Sequence, residues 1–119
     1  MSGQLFIMSA DANVVFYGIR VAFSPEAAKS GDIRKHELVL RARAAKLDYY
    51  FTNLGGVEPD YSLFLGKMIA MTGPENSTFV EVEDSLLRDG IDETRRKLIA
   101  SELAFNATPK LYVYWLSDG

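Results

Sequence analysis

The predicted architecture rests on Asp32–Leu54, DIRKHELVLRARAAKLDYYFTNL, which Gly55 and Gly56 follow. At about 100° per residue, one side of a helix over this run is apolar and wide enough to cover a sheet. That side consists of Ile33, Leu40, Ala44, Leu47, Phe51 and Leu54. The Asp32 carboxylate can accept a hydrogen bond from a first-turn amide, and Gly55 can adopt the left-handed conformation that ends a helix. The run therefore predicts one long central helix.

A second apolar stripe lies on the other side of this predicted helix. It consists of Leu38, Ala42, Ala45 and Tyr49. A helix that is apolar on two sides is expected to be covered on two sides. Two interpretations stay open, because either the second helix of the chain or a symmetry-related copy could do the covering. The small Ala42 and Ala45 would let another helix approach closely, so these four residues are the candidate interface.

Apolar runs, most of them rich in β-branched and aromatic residues, predict five strands. They are Gln4–Ser9, Val14–Phe23, Tyr61–Met71, Thr78–Glu83 and Leu111–Leu116. The first and second are predicted to form one hairpin, and the third and fourth another, since turn-forming residues separate each pair. The run over residues 61–71 suits either a buried strand or a short helix, and the turn residues Gly73–Asn76 that follow it favour the strand. The second run is apolar on both faces, which is typical of a central strand, and its Gly18 indicates a bulge or a close backbone approach.

A second helix is predicted over Ile91–Phe105, with Asp89 or Asp92 as its cap. The predicted order of elements is then β-β-α-β-β-α-β. This order favours an α+β fold, in which two main helices pack on a mostly antiparallel sheet of about five strands.

The composition is that of one globular domain spanning residues 1–119, with 48% hydrophobic and 24% charged residues. A net charge of −3 argues against a general nucleic-acid coat, which would be strongly basic. The chain has no cysteine, which excludes disulfides and fits a reducing compartment. The N-terminus does not resemble a signal peptide, and no apolar run is long enough to span a bilayer. We therefore expect a cytoplasmic protein with no membrane partner.

No set of residues with a catalytic pattern stands out. Nucleophilic catalysis needs an activated Ser, Cys or Thr, and the one histidine, His36, has no serine near it in the sequence. Asp32 and His36 are one helical turn apart, but zinc sites need three or four protein ligands. We predict no catalytic residues, no metal and no cofactor. An enzyme that uses a pair of the 16 acidic residues remains an alternative.

Basic residues beside tyrosines define the candidate ligand site. Lysine and arginine next to a stacking surface are the groups that hold nucleotides and single-stranded nucleic acids. The candidate ligand residues are Arg20, Lys35, Arg43, Lys46, Tyr50 and Lys67. The alternative is that these are long side chains on a solvated surface, with their charged ends in water.

Two functions follow from these observations. The first is a small non-enzymatic protein that self-associates and acts through a protein–protein surface, as an adaptor or as an inhibitor of the compact kind encoded by phages and mobile elements. It rests on the two-sided helix, the six tyrosines and the lack of a catalytic set. The second is a binder of a nucleotide or another small anionic ligand.

Overall fold

The computed structural model describes residues 12–24, 26–27, 31–53, 61–73, 79–104 and 107–116. Over these residues the elements are β1 (Ala12–Phe23), α1 (Glu37–Ala44), β2 (Asp48–Asn53), β3 (Tyr61–Thr72), α2 (Asp84–Ala100) and β4 (Lys110–Leu116). A 3-10 turn, Ile33–Lys35, precedes α1. The predicted α+β class is confirmed. The described part of the chain has four strands instead of about five, in the order β-α-β-β-α-β.

The four strands form one antiparallel sheet in the order β2-β3-β1-β4. β1 is a central strand, as its two apolar faces predict, and it pairs with β3 over residues 13–23 and with β4 over residues 12–18. The predicted first strand, Gln4–Ser9, lies outside the described residues.

The prediction of one helix over Asp32–Leu54 is wrong. α1 is eight residues long and ends at Ala44 in a Schellman motif. In this motif the Leu47 amide donates to the Ala42 carbonyl at 2.9 Å and the Lys46 amide donates to the Arg43 carbonyl at 3.0 Å. The predicted helix stop at Gly55 lies outside the described residues.

Residues 48–53 form β2 instead of the later turns of that helix. Tyr49, Tyr50 and Phe51 pair in register with β3. Aromatic residues suit a pleated strand, and they pack on both faces of the sheet once a partner strand is present. The predicted cap is also displaced. Asp32 caps the 3-10 turn, while His36 caps α1 by accepting the Leu38 amide at 3.1 Å.

The strand predicted over residues 61–71 is confirmed as β3, but the hairpin that was to follow it is wrong. Residues 79–83 have no regular secondary structure, and Thr78 lies outside the described residues. β3 pairs with β1 along nearly its whole length and with β2 over residues 61–66. The described residues that follow β3 do not add a strand to it.

The second helix begins earlier and ends earlier than predicted, because α2 spans Asp84–Ala100. A second Schellman motif ends it, with the Leu103 amide donating to the Leu98 carbonyl at 2.9 Å and the Glu102 amide donating to the Ile99 carbonyl at 3.1 Å. Leu98 and Leu103 are both buried in the core.

Hydrophobic cores lie on both faces of the sheet. On the helix side the sheet residues Ile19, Leu63 and Leu65 pack against helix residues that include Val39, Ala42 and Leu98. On the other face the buried residues are Val14, Phe16 and Phe64, surrounded by Tyr50, Met68, Met71, Tyr112 and Tyr114. A bulge leaves one residue of β3 without a partner between Met68 and Ala70, which turns both Met68 and Met71 toward this second face.

Gly18 of β1 and Gly66 of β3 are directly opposite each other, with φ of 156° and 154°. A Cβ atom at Gly18 would overlap the carbonyl oxygen of Leu65, and one at Gly66 would overlap that of Tyr17. The close backbone approach indicated by Gly18 is therefore present, and glycine is required on both strands.

Candidate functional site: a lysine cavity and an exposed edge strand

Two of the six predicted ligand residues line one cavity. Lys46 follows α1 and Lys67 lies on β3, and a small cavity of about 70 Å³ brings them together with Lys97 of α2. Its remaining lining residues are Leu47, Asp48, Gly66, Glu93 and Thr94. We call this the lysine cavity. It lies where the α1–β2 turn, the middle of β3 and the second half of α2 meet.

The other four predicted ligand residues lie elsewhere. Arg20, on β1, donates from Nε to Ser62 Oγ at 2.8 Å. Tyr50 belongs to the aromatic cluster on the face of the sheet away from the helices. Lys35 lines a separate cavity beside Phe23, and Arg43 is exposed on α1. These four residues do not form one site. Lys35, Arg43 and Tyr50 are not aligned on one helix, because α1 ends at Ala44.

Lys46 has an unusual backbone conformation for a lysine. It is the first residue beyond the cap of α1 and has a φ of 60°, in the left-handed region where glycine is favoured. A residue with a side chain costs about 1–2 kcal/mol in this conformation. Glu102 has the same place in the motif that ends α2, with a φ of 62°, but it does not line the lysine cavity. Lys46 and Glu102 therefore have the same backbone conformation, one at the lysine cavity and the other outside it.

Lys67 is held against a helix that carries a glycine at the point of contact. Gly90 lies inside α2, where glycine costs about 1 kcal/mol relative to alanine. A Cβ atom at Gly90 would be 3.2 Å from Cε of Lys67, which is tighter than ordinary van der Waals contact. The glycine therefore gives the Lys67 side chain room to lie along the helix.

Charge in the lysine cavity is only partly paired within the described residues. Lys97 Nζ is 3.6 Å from Glu93 Oε2 and donates to the Lys46 carbonyl at 3.4 Å. Asp48 Oδ2 accepts the Met68 amide at 2.9 Å. The ammonium groups of Lys46 and Lys67 form no ion pair with any described residue.

Sequence reasoning missed Lys97, and no local signal could have found it. It lies 51 residues from Lys46, on a helix whose charged residues are typical of a solvent-exposed face. The sheet and helix packing alone brings the three lysines together.

The predicted interface residues do not form one stripe. Ala42 is fully buried in the core, and Leu38 and Ala45 pack against that core. Tyr49 lies on β2 and pairs with Leu65 of β3. The hydrophobic core of the same chain therefore contains or contacts all four residues that were predicted to form a helical interface.

Exposed apolar side chains occur instead on β4. Leu111, Val113 and Trp115 are 52%, 67% and 63% exposed. Their pairing with β1 places them on the helix side of the sheet, because Val113 is opposite Val15 and Leu111 is opposite Tyr17. α2 packs mainly on β3 and β1, which leaves these three side chains uncovered. β4 is the last strand in the sheet order, with no further described strand along its outer edge.

In the part of the chain that the structure describes, no three His, Asp or Glu side chains are grouped closely enough to hold a metal ion. His36 Nδ1 accepts the Leu38 amide, so this nitrogen already has a partner. Neither described helix is both long enough and apolar enough to cross a membrane.

Comparisons with known proteins find no family model, no curated protein and no solved structure that matches this chain. Functional inference therefore rests on the geometry described above.

Proposed function

We propose that this protein acts through protein–protein contacts and that its first partner is a second copy of itself, joined along β4. The observation that carries the proposal is β4, the last strand of the sheet that the described residues form, on which the side chains of Leu111, Val113 and Trp115 are exposed and apolar. Edge strands of monomeric proteins are usually protected by charge, proline or bulges. Within β4 the one charged residue is Lys110, at its first position.

The sequence of β4 suits antiparallel pairing with itself. A two-fold axis at Val113 sets all seven residues of Lys110–Leu116 in register with the second copy. Val113 then faces its own equivalent, and Leu111 faces Trp115 of the second copy. Lys110 faces Leu116, so no like charges meet.

Such a pairing would join two four-stranded sheets into one and bring both sets of exposed side chains into contact across the two-fold axis. On the opposite face Tyr112 would meet Tyr114 of the second copy and lengthen the aromatic cluster. The chain has no cysteine, which suits the reducing cytoplasm in which we propose that it works.

The test is the oligomeric state of Val113→Arg. Native mass spectrometry and sedimentation equilibrium of the wild type should show twice the 13.3 kDa chain mass, and Val113→Arg should be monomeric. Two guanidinium groups facing each other across the two-fold axis repel each other and must leave water.

Ile99→Arg is the matched control, because Ile99 is an apolar residue of similar exposure, 62%, and belongs to α2 instead of β4. It should leave the dimer intact. A wild type that is monomeric at every concentration would contradict the proposal, as would a dimer that Val113→Arg and Ile99→Arg affect equally. Circular dichroism checks that both variants are folded.

A further inference from the structure

We propose that the lysine cavity binds a phosphoryl group. The ligand is either inorganic phosphate or the phosphate of a small phosphorylated compound. This inference does not depend on the dimer, because none of the residues that line the cavity belongs to β4.

The charges of the cavity suit an anion. Three lysines and two carboxylates line it. Glu93 pairs with Lys97, and Asp48 accepts a backbone amide, so both acids already have partners. Lys46 and Lys67 supply ammonium donors that no described residue engages in an ion pair. Charge-assisted hydrogen bonds from such donors to phosphate oxygens are among the stronger polar contacts in proteins.

The size of the cavity limits the group that fits. Its volume of about 70 Å³ is well below the roughly 300–1,000 Å³ of pockets that hold whole organic ligands, so it suits a small anionic group such as phosphate. Lys67 and Glu93 also line a neighbouring groove of about 410 Å³, whose other walls include Ile69, Leu86 and Leu87. An organic body attached to the phosphate would lie in this partly apolar groove.

The backbone conformations around the cavity also support a binding site. Lys46 occupies a left-handed position where glycine would be more stable, and Gly90 occupies a helical position where alanine would be more stable. Both choices place a lysine at the cavity. Residues held in disfavoured conformations cluster at binding sites, where they set the position of a functional group.

The experiment is a calorimetric titration with inorganic phosphate and, separately, with phenyl phosphate, a phosphomonoester with an apolar ring. Sodium chloride holds the ionic strength constant, so that general screening does not imitate binding. The variants are Lys46→Gly and Lys67→Met. The controls are Glu102→Gly, which makes the same backbone change at the end of α2, and Lys35→Met, which removes the same charge from a different cavity.

The expected result is saturable binding of one phosphate per chain, weakened about tenfold by either Lys46→Gly or Lys67→Met. Glu102→Gly and Lys35→Met should bind as the wild type does. Tighter binding of phenyl phosphate would identify a phosphorylated organic compound as the ligand, and equal binding would identify the free anion.

Two results would overturn the proposal. One is the absence of saturable binding by the wild type to either probe. The other is equal affinity of all four variants, which would place any phosphate contact outside the lysine cavity. Loss of folding is not expected to obscure the test, because Lys46→Gly and Glu102→Gly each relieve a disfavoured backbone conformation.

Discussion

Replacing Gly18 with alanine should be among the most damaging single-methyl changes in this protein. Gly18 is at the centre of the sheet, opposite Gly66, with a φ of 156°. The added Cβ would overlap the Leu65 carbonyl oxygen. That oxygen belongs to the backbone of the neighbouring strand, so it cannot move aside as a flexible side chain would.

The magnitude follows from two costs. An alanine in this backbone region costs about 1–3 kcal/mol. Separating β1 from β3 locally weakens about two hydrogen bonds, each contributing about 0.5–1.5 kcal/mol. We therefore expect the free energy of unfolding to fall by about 2–6 kcal/mol, a large part of the 5–15 kcal/mol typical of a domain.

Gly31→Ala is the matched control. No atom lies within 4 Å of a Cβ built at Gly31, and its φ is not in the region that side chains avoid. This change should raise the free energy of unfolding by about 0.4–1 kcal/mol, because alanine restricts the unfolded chain. Urea denaturation followed by circular dichroism measures both variants. If Gly18→Ala remains within about 1 kcal/mol of the wild type, the close approach of β1 and β3 described above is wrong.

Two further predictions concern titration and an unsatisfied hydroxyl. The side-chain hydrogen bonds from Arg34 lower the pKa of Asp32 to about 2, so Arg34→Ala should return the Asp32 pKa toward 3.8 in a carboxyl NMR titration. The wild-type pair stabilises the fold above the unfolded pKa of Asp32, and this contribution is lost as the pH falls from about 4 to about 2. An unchanged Asp32 pKa in Arg34→Ala would contradict this assignment. The Tyr114 hydroxyl is buried with no hydrogen-bond partner in the described structure, and burial raises the Tyr114 pKa well above its usual range. Tyr114→Phe should therefore keep or raise the free energy of unfolding, by up to about 1 kcal/mol, since it removes an unsatisfied polar atom. A loss of more than about 1 kcal/mol in urea denaturation would show that the hydroxyl has a partner.

Local sequence patterns are enough to locate three of the four described strands. β1, β3 and β4 have an alternation or a two-sided apolar pattern that depends on neighbours along the chain, and all three occur where the sequence predicts them. The side chains of β4 alternate between the two faces of the sheet, with Tyr112 and Tyr114 in the aromatic cluster and Val113 exposed on the other face.

The error at β2 has a clear physical origin. DYYFTN continues the helical spacing of apolar residues, so periodicity alone favours one helix. The helix in fact ends at Ala44, and a lysine replaces the glycine that normally marks such an end. Pairing with β3 stabilises β2 as a strand, and the residues of β2 alone do not predict this pairing.

The lysine cavity and the exposed strand β4 are also only partly predictable from the sequence. The charge of Lys46 and Lys67 is enough to identify them as candidate ligand residues. The prediction grouped them with four residues that lie elsewhere in the fold. Lys97 joins them only because α2 packs over β3. The exposure of β4 also depends on which strands the helices cover, a property of the whole assembly of elements.

The sequence alone was sufficient for the α+β class and for three of the described strands, because each depends on residues close in the chain. At Gly18 it indicated either a bulge or a close backbone approach, and the pairing of β1 with β3 decided between them. Tertiary structure decided the identity of β2, the edge position of β4 among the described strands and the lysine cavity. Each of these depends on contacts between residues distant in sequence, whose free energy exceeds the weak local preferences of a helix or a strand.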